Sequence, residues 1–258
     1  SAVIAVASVM GDAPPTGPWY YVVSAVDGTL LYRKDLTAAD SYAYRVWAST
    51  TGLKEPYDGP QGNDPSPHPT GTPNGFSPPF IAPELVTLDH GPISTNDPWL
   101  GSGASATLGN NASAYADVAA PDGFGNGDVR ATTTAAQAFE RVYDVSKNPG
   151  DSTEQRMAAV TQLFYDVNFF HDWYYDVGFD EAAGNAQQDN YGRGGFGNDP
   201  LRAEGQDNSG RNNADMSTPS DGARPRMQMY VFDGGKGKVL ELLTPTHASV
   251  NAGGAPSS

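Results

Sequence analysis

The chain has 258 residues, a formal net charge of −15 and no cysteine, and 17% of it is charged. So acidic a balance lacks the basic field that phosphate backbones and anionic lipid headgroups require, which argues against nucleic-acid and membrane partners. The missing cysteine excludes disulfides, thiol nucleophiles and Cys-based zinc sites.

The length suffices for one large or two modest domains with a sizeable core. With 30 glycines, 21 prolines and 10% aromatic residues, the composition describes many turns on an ordered scaffold rather than general disorder. No stretch has the apolar length that crosses a bilayer, and no basic segment, apolar run and cleavage site open the chain. Any export signal is expected upstream, because SAVIAVASVM reads as the middle of a strand pattern and so as a processed or partial polypeptide.

In chain order, WYYVVSAVDGTLLYRKDL at 19–36 is two β-rich runs around Asp27-Gly28, a strong hairpin signal, and Tyr42 to Trp47 predicts another strand. The region from 52 to 104 holds a dense series of prolines from Pro56 to Pro98 with much glycine and little charge, and predicts an extended connector. Asn111-Ala112-Ser113 is a formal glycosylation sequon. Ala112 to Asp117 predicts a short strand running into PDGFGNGD at 121–128. There Asp122, Asn126 and Asp128 offer hard oxygen donors on a flexible turn, as calcium prefers, although the spacing is not that of an EF-hand loop. A solvated turn is the competing reading, and it applies also to Asp180, Glu181, Asp189 and Asp199.

The strongest element is a helix predicted over 152–177. Ser152 and Gln155 have capping-box spacing, Asp151 and Glu154 place negative charge where the helix dipole favours it, and Gly178 supplies the stop. Met157, Val160, Leu163, Phe164, Val167, Phe170, His171, Tyr174 and Val177 return to one face at helical pitch, and Tyr165, Phe169 and Trp173 form a second apolar face. This periodicity makes His171 a core histidine and puts Asp172 on a wetter face with Asp176, so the pair is not read as a dyad. An Asn/Gly/Asp-rich loop follows over 178–207. After it come Asn212, Asn213 and Ala214, the TPSDG turn at 218–222, and a strand over 225–232. Arg193, Arg202, Arg224 and Arg226 are predicted to form structural ion pairs with the loop's carboxylates.

The segments AAVTQLFYDVNFFHDWYYDVGFDEAAGN, YGRGGFGNDPLRAEGQD, GRNNADMSTPSDG and RPRMQMYVF resemble the fungalysin-type secreted zinc metalloendopeptidases of the thermolysin-like clan, collinearly over roughly 105–250. The resemblance implies an α+β fold. Residues 1–50 would be the end of a β-rich propeptide, 51–104 a linker, 105–238 the N-terminal subdomain of the catalytic domain, and 239–258 the start of an inserted segment or a disordered tail. It implies hydrolysis of peptide bonds by zinc-activated water outside the cell. It also implies substrate binding along an edge strand at Asn212, Asn213 and Ala214, with Asn213 using its side-chain amide and Ala214 its carbonyl. Asp215 and Met216 stand where many relatives have Asn and Phe.

The family's zinc motif, H-E-x-x-H, is absent. His68, His90, His171 and His247 are widely separated, and no downstream glutamate ligand has a counterpart. No catalytic residue and no zinc ligand is therefore assigned to this chain, which reads as an inactive N-terminal part that needs the remainder of the peptidase as its partner. A noncatalytic extracellular binding or structural protein retaining the scaffold, and a calcium-stabilised extracellular β module, are the alternatives.

Overall fold

A computed structural model describes residues 2–5, 19–35, 40–63 and 79–233. The sequon, both carboxylate-rich loops and the long helix lie within these residues; His68, His247 and the tail at 239–258 lie outside them.

The first three strands, β1 (Ala2–Ala5), β2 (Trp19–Ser24) and β3 (Leu30–Asp35), form an antiparallel sheet in the order β1-β2-β3. Its hairpin turns at Asp27-Gly28. The Asp27 carboxylate accepts from Thr29 N at 3.1 Å, and Gly28 takes φ +74°, a left-handed conformation without a Cβ penalty.

Among the described residues seven further strands follow, and six of them share a core with the helix. β4 (Tyr42–Val46) is the centre of a three-stranded sheet, antiparallel to β5 (Glu84–Leu88) and parallel to β7 (Ala138–Phe139). The second sheet has the order β6 (Ala112–Ala116), β8 (Leu201–Gly205), β10 (Arg226–Met229), β9 (Ala214–Ser217); β6, β8 and β10 are parallel and β9 is antiparallel to β10. The helix α1 (Thr153–Tyr175) packs on β4, β6 and β8. One helix with mixed sheets is an α+β arrangement.

Two stretches differ from the expected boundaries. Tyr42, Tyr44 and Val46, grouped above with the amino-terminal β module, are buried beside α1, where Tyr44 stacks on Phe139 and meets Tyr165 edge-on. Val86, Leu88, Trp99 and Leu100, grouped above with the connector, are buried in the same cluster. The physical reason is the alternating burial of β4, B-i-B-i-B, which needs both neighbouring strands and the helix to cover it. Proline density therefore marks a connector only where no apolar residue has a core to enter.

The helix ends are those predicted. Ser152 caps the N-terminus by accepting from Gln155 N at 3.1 Å. Gln155 does not complete the box; its side-chain amide instead holds both backbone groups of Asp144, at 3.0 and 2.8 Å. At the other end Gly178, at φ +109°, donates to Tyr175 O and the Phe179 N–H reaches Tyr174 O, closing the helix in a left-handed cap.

The helix faces differ from the expected ones. Phe164, Tyr165 and Phe169 are fully buried, and each contributes roughly 1.5–3 kcal/mol through removal of apolar surface from water. Trp173, Tyr174 and Val177 are exposed. Gln162, Asp166, Asn168 and Asp172 are buried instead, and Asp172 is therefore not on a wet face. Its Oδ2 accepts from Gly91 N and Trp99 Nε1, both at 2.7 Å, and its Oδ1 accepts from Asn111 Nδ2 at 3.2 Å and lies 3.0 Å from His171 Nδ1. The two residues do touch, but both oxygens of the carboxylate serve the core. Asp176 is the exposed member, holding Ser94 through its N–H and hydroxyl.

Asn111 is buried and bonded to this hub. The sequon is thus not presented on the surface of the folded chain, since its acceptor nitrogen is engaged by Asp172.

Candidate functional site

Among the described residues β9 is an edge strand of its sheet. Tyr230 N donates to Asn213 O, and Ala214 is registered opposite Met229. In an antiparallel ladder this makes Ala214–Met229 a non-bonded pair, so the N–H and C=O of Ala214 and Met216 point outward from the sheet. All four residues of β9 are exposed. Unpaired main-chain donors and acceptors on an exposed edge are a template for one more strand.

The residues before the strand divide in role. Asn212, at φ +57°, spends its side chain on Asp233, accepting from Asp233 N at 2.6 Å and donating to its carboxylate at 3.2 Å. Among the described residues the Asn213 side-chain amide makes no hydrogen bond. It stands exposed at the start of the open edge. Asp215 turns to the other face and accepts from Tyr230 OH at 2.5 Å.

Met216, on the same face as Ala214, borders an apolar groove of ≈ 390 Å³. Leu163, Val167, Phe170 and Tyr174 of α1 line one wall, and Met227 of β10 continues it. The outer half of the predicted apolar stripe thus lines an open groove instead of entering the core. Asn111, Asp166 and His171 also line it, and neither Asp166 Oδ2 nor His171 Nε2 has a hydrogen-bond partner among the described residues.

Burial pushes the Asp166 carboxyl well above the ordinary carboxylate range, with one compensating bond from Gln162 Nε2 at 2.8 Å. A raised carboxyl contributes stability that is full below its unfolded pKa of about 4 and is lost as pH rises through the folded value. Asp166→Asn keeps the acceptor for Gln162 and removes the buried charge. It is expected to gain about 1–3 kcal/mol over the parent at pH 8, with the gain shrinking toward zero at pH 4. Urea denaturation at the two pH values checks this; an equal difference at both would show that the charge is not the cause.

The loop behind the helix is braced by its own side chains. Asp180 caps a short 3-10 turn at Glu181–Ala183, Asp189 accepts from Tyr191 N, and Asp199 accepts from Gln187 N and Gly222 N. Gly195 allows the chain to pass against the turn, since a Cβ there would meet Glu181 O at 2.2 Å. Of the four predicted ionic arginines, Arg193 is buried between Asp97 and Glu181, and Arg226 pairs with Asp122 and lies 3.8 Å from Glu204. Arg202 and Arg224 instead bond the carbonyls of Arg224 and Pro200.

Of the three expected calcium donors, Asp122 and Asp128 have different partners in the turn at 121–128. Asp128 accepts from Val118 N and Ala119 N through one oxygen and from Gly125 N through the other, and so clasps the base of the turn. Asp122 joins a different acidic group, with Asp117, Glu204 and Asp207. Spacing did not reveal this group, because its members meet only where the carboxyl ends of β6 and β8 lie side by side.

Residues 84–244 match the family described as Fungalysin metallopeptidase (M36), which is more than half of the chain. This chain belongs to the fungalysin metallopeptidase family. Similar proteins are the extracellular metalloproteinase MEP of Fusarium vanettenii, 37% identical over 164 residues, and that of Pyricularia oryzae, 42% identical over 137. The Aspergillus flavus extracellular metalloproteinase is 47% identical over 94 residues. These matches cover 62%, 52% and 36% of this chain but only 25%, 21% and 14% of the relatives, so the chain spans about a quarter or less of their length. The family match begins at β5, within the stretch expected to be connector.

Proposed function

We propose that this fungalysin-family chain is the N-terminal part of a secreted zinc-dependent metalloendopeptidase and supplies the edge on which an extended peptide substrate is held. The observation that carries this reading is the outward-facing backbone of β9, with the unengaged Asn213 amide at its start. A peptide laid along β9 would donate an N–H to Ala214 O and receive bonds from the outward N–H groups and the Asn213 side chain. Main-chain pairing supplies affinity without demanding a particular sequence, and the apolar wall at Met216 favours an apolar side chain next to it. Among the described residues no assembled metal-ligand group contains histidine. His171 Nδ1 faces Asp172, and His90 Nδ1 lies 3.0 Å from Asp89. The described residues do not fit a catalytic zinc site, and this reading assigns the zinc ligands to a segment carrying H-E-x-x-H. This chain's share of the reaction is to bind and orient the peptide.

The apolar groove beside β9 supports the same reading, since its unpaired Asp166 and His171 atoms and exposed aromatic wall suit packing against the remainder of the peptidase. The β1–β3 sheet is read as the end of a propeptide, and β4–β10 with α1 as the N-terminal subdomain of a thermolysin-like catalytic domain. Extracellular location rests on the relatives' names. Among the described residues, no helix is long and apolar enough to cross a membrane. A noncatalytic scaffold protein draws no support from relatives that are named as metalloproteinases.

Residues 1–258 alone are expected to show no peptidase activity, and a continuation or copurifying polypeptide carrying H-E-x-x-H is expected to restore activity that 1,10-phenanthroline removes. Sequencing beyond residue 258, with intact-mass analysis of the native material, makes the test. No such polypeptide, together with copurifying proteolysis that survives chelation, overturns the reading.

A further inference from the structure

We propose that Asp117, Asp122, Glu204 and Asp207 form a calcium site that ties the 117–128 turn to the carboxyl ends of β6 and β8. The site is separate from any catalytic zinc. Each of the four carboxylates offers an oxygen, and these oxygens all lie within 4.8 Å of one another. That span fits across an ion holding oxygens at about 2.4 Å, within the range calcium adopts. The donors are all oxygen, which suits calcium and does not suit zinc.

A second observation points to a missing ligand. Glu204 is completely buried, and its Oε1 accepts from Tyr115 OH at 2.6 Å, yet its Oε2 is buried without a hydrogen-bond partner. The nearest cation is Arg226, whose Nε is 3.8 Å away and whose Nη1 is committed to Asp122. Asp117 and Asp207 are also buried, so three carboxylates are withdrawn from water with one guanidinium among them. Buried charges are ordinarily paired or coordinate a metal.

The remaining contacts orient the carboxylates without exhausting them. Gly123 N donates to Asp117 Oδ2 at 2.6 Å, Ser209 N to Asp207 Oδ1 at 2.7 Å, and Gln228 Nε2 to Asp207 Oδ2 at 2.8 Å and Asp122 Oδ1 at 3.3 Å. Ser209 N and Oγ together fill Asp207 Oδ1, but Asp207 Oδ2, Asp117 Oδ2 and Asp122 Oδ1 accept one donor each and Glu204 Oε2 none, so every carboxylate keeps a lone pair for a cation. Burial pushes Asp117 up to about 6 against the hydrogen bond from Gly123 N, and the neighbouring aspartates add to the rise. Burial likewise pushes Glu204 up to about 7 against the hydrogen bond from Tyr115.

The fold explains the assembly. Asp117 directly follows β6, and Glu204 lies in β8 with Asp207 just beyond it; the parallel pairing of Tyr115 with Glu204 and Ala116 with Gly205 brings these positions together. The turn then returns Asp122 over them, held by Asp128 at its base. A cation here would fix the turn to the sheet that carries β9.

The test is thermal unfolding of the 258-residue chain after exhaustive chelation, titrated with calcium and separately with magnesium. Calcium at a hundredfold excess over its Kd is expected to raise Tm by about 5–10 °C. Terbium, a luminescent calcium mimic, is expected to bind at one site and be sensitised by Tyr115. Glu204→Gln is expected to weaken calcium binding at least 10-fold without harming the fold, since it removes a buried charge. Asp122→Asn, at an exposed position, is expected to weaken binding in the same way. Asn126→Ala is expected to keep the full response, which separates this donor set from the one suggested by spacing alone. The proposal is overturned by an unchanged Tm in calcium, an undiminished shift in both carboxylate variants, an equal shift with magnesium, or loss of the response in Asn126→Ala. None of these readouts depends on peptidase activity.

Discussion

Asp172→Ala is expected to destabilise the chain by about 3–5 kcal/mol. The substitution deletes a carboxylate that receives donors from Gly91, Trp99 and Asn111 and borders His171. Trp99 is fully buried and Asn111 nearly so, which leaves water little access to the orphaned groups. Each buried unsatisfied donor costs about 1–3 kcal/mol, and relaxation of the neighbours returns part of the sum. Asp172→Asn is expected to recover only part of the loss, because one amide oxygen replaces two acceptor oxygens and the new NH2 faces donors. Asp176→Ala provides the comparison: it loses bonds to Ser94 at the surface and is expected to cost under about 1 kcal/mol. Urea midpoints for the three variants decide the matter. Equal midpoints for Asp172→Ala and Asp176→Ala would show that the hub contributes nothing special.

In the complete peptidase, Asn213→Ala is expected to lower kcat/KM on peptide substrates by about 10–100-fold while leaving Tm within about 1 °C. The expected split follows from the structure. Asn213 is exposed, and its side chain has no hydrogen bond among the described residues that folding could lose. Leaving the substrate's desolvated peptide group without the Asn213 amide as partner costs about 1–3 kcal/mol, which accounts for the kinetic range. Asn212→Ala is expected to behave oppositely, lowering Tm through loss of the Asp233 contacts before it affects turnover. If Asn213→Ala keeps full kcat/KM, or if its loss of activity tracks a loss of stability, the strand-addition reading of β9 fails.

Much of the scaffold was legible locally. The D-G hairpin, the Ser152 cap, the Gly178 stop and the strands at 42–46, 112–116 and 226–229 each depend on near neighbours in sequence, and each forms where expected. Hydropathy failed at Asp172, because its burial is compensated by groups far away in the chain. A helix wheel cannot see Gly91 or Trp99. Proline density failed at β5 and Trp99 for a related reason: whether an apolar residue is core depends on the surface it meets.

The sequence by itself determined the family, the α+β class, the absence of thiol chemistry and of the paired histidines of a zinc helix, and the limits of the long helix. These follow from residue identity and from interactions a few residues in range. Only the tertiary structure decided that Ala214 and Met216 offer a free backbone edge, that half of the helix stripe lines an open groove, and that Asp117, Asp122, Glu204 and Asp207 share one pocket of negative charge. Those outcomes depend on strand order and parallel register, which join segments nearly a hundred residues apart and which no local pattern encodes.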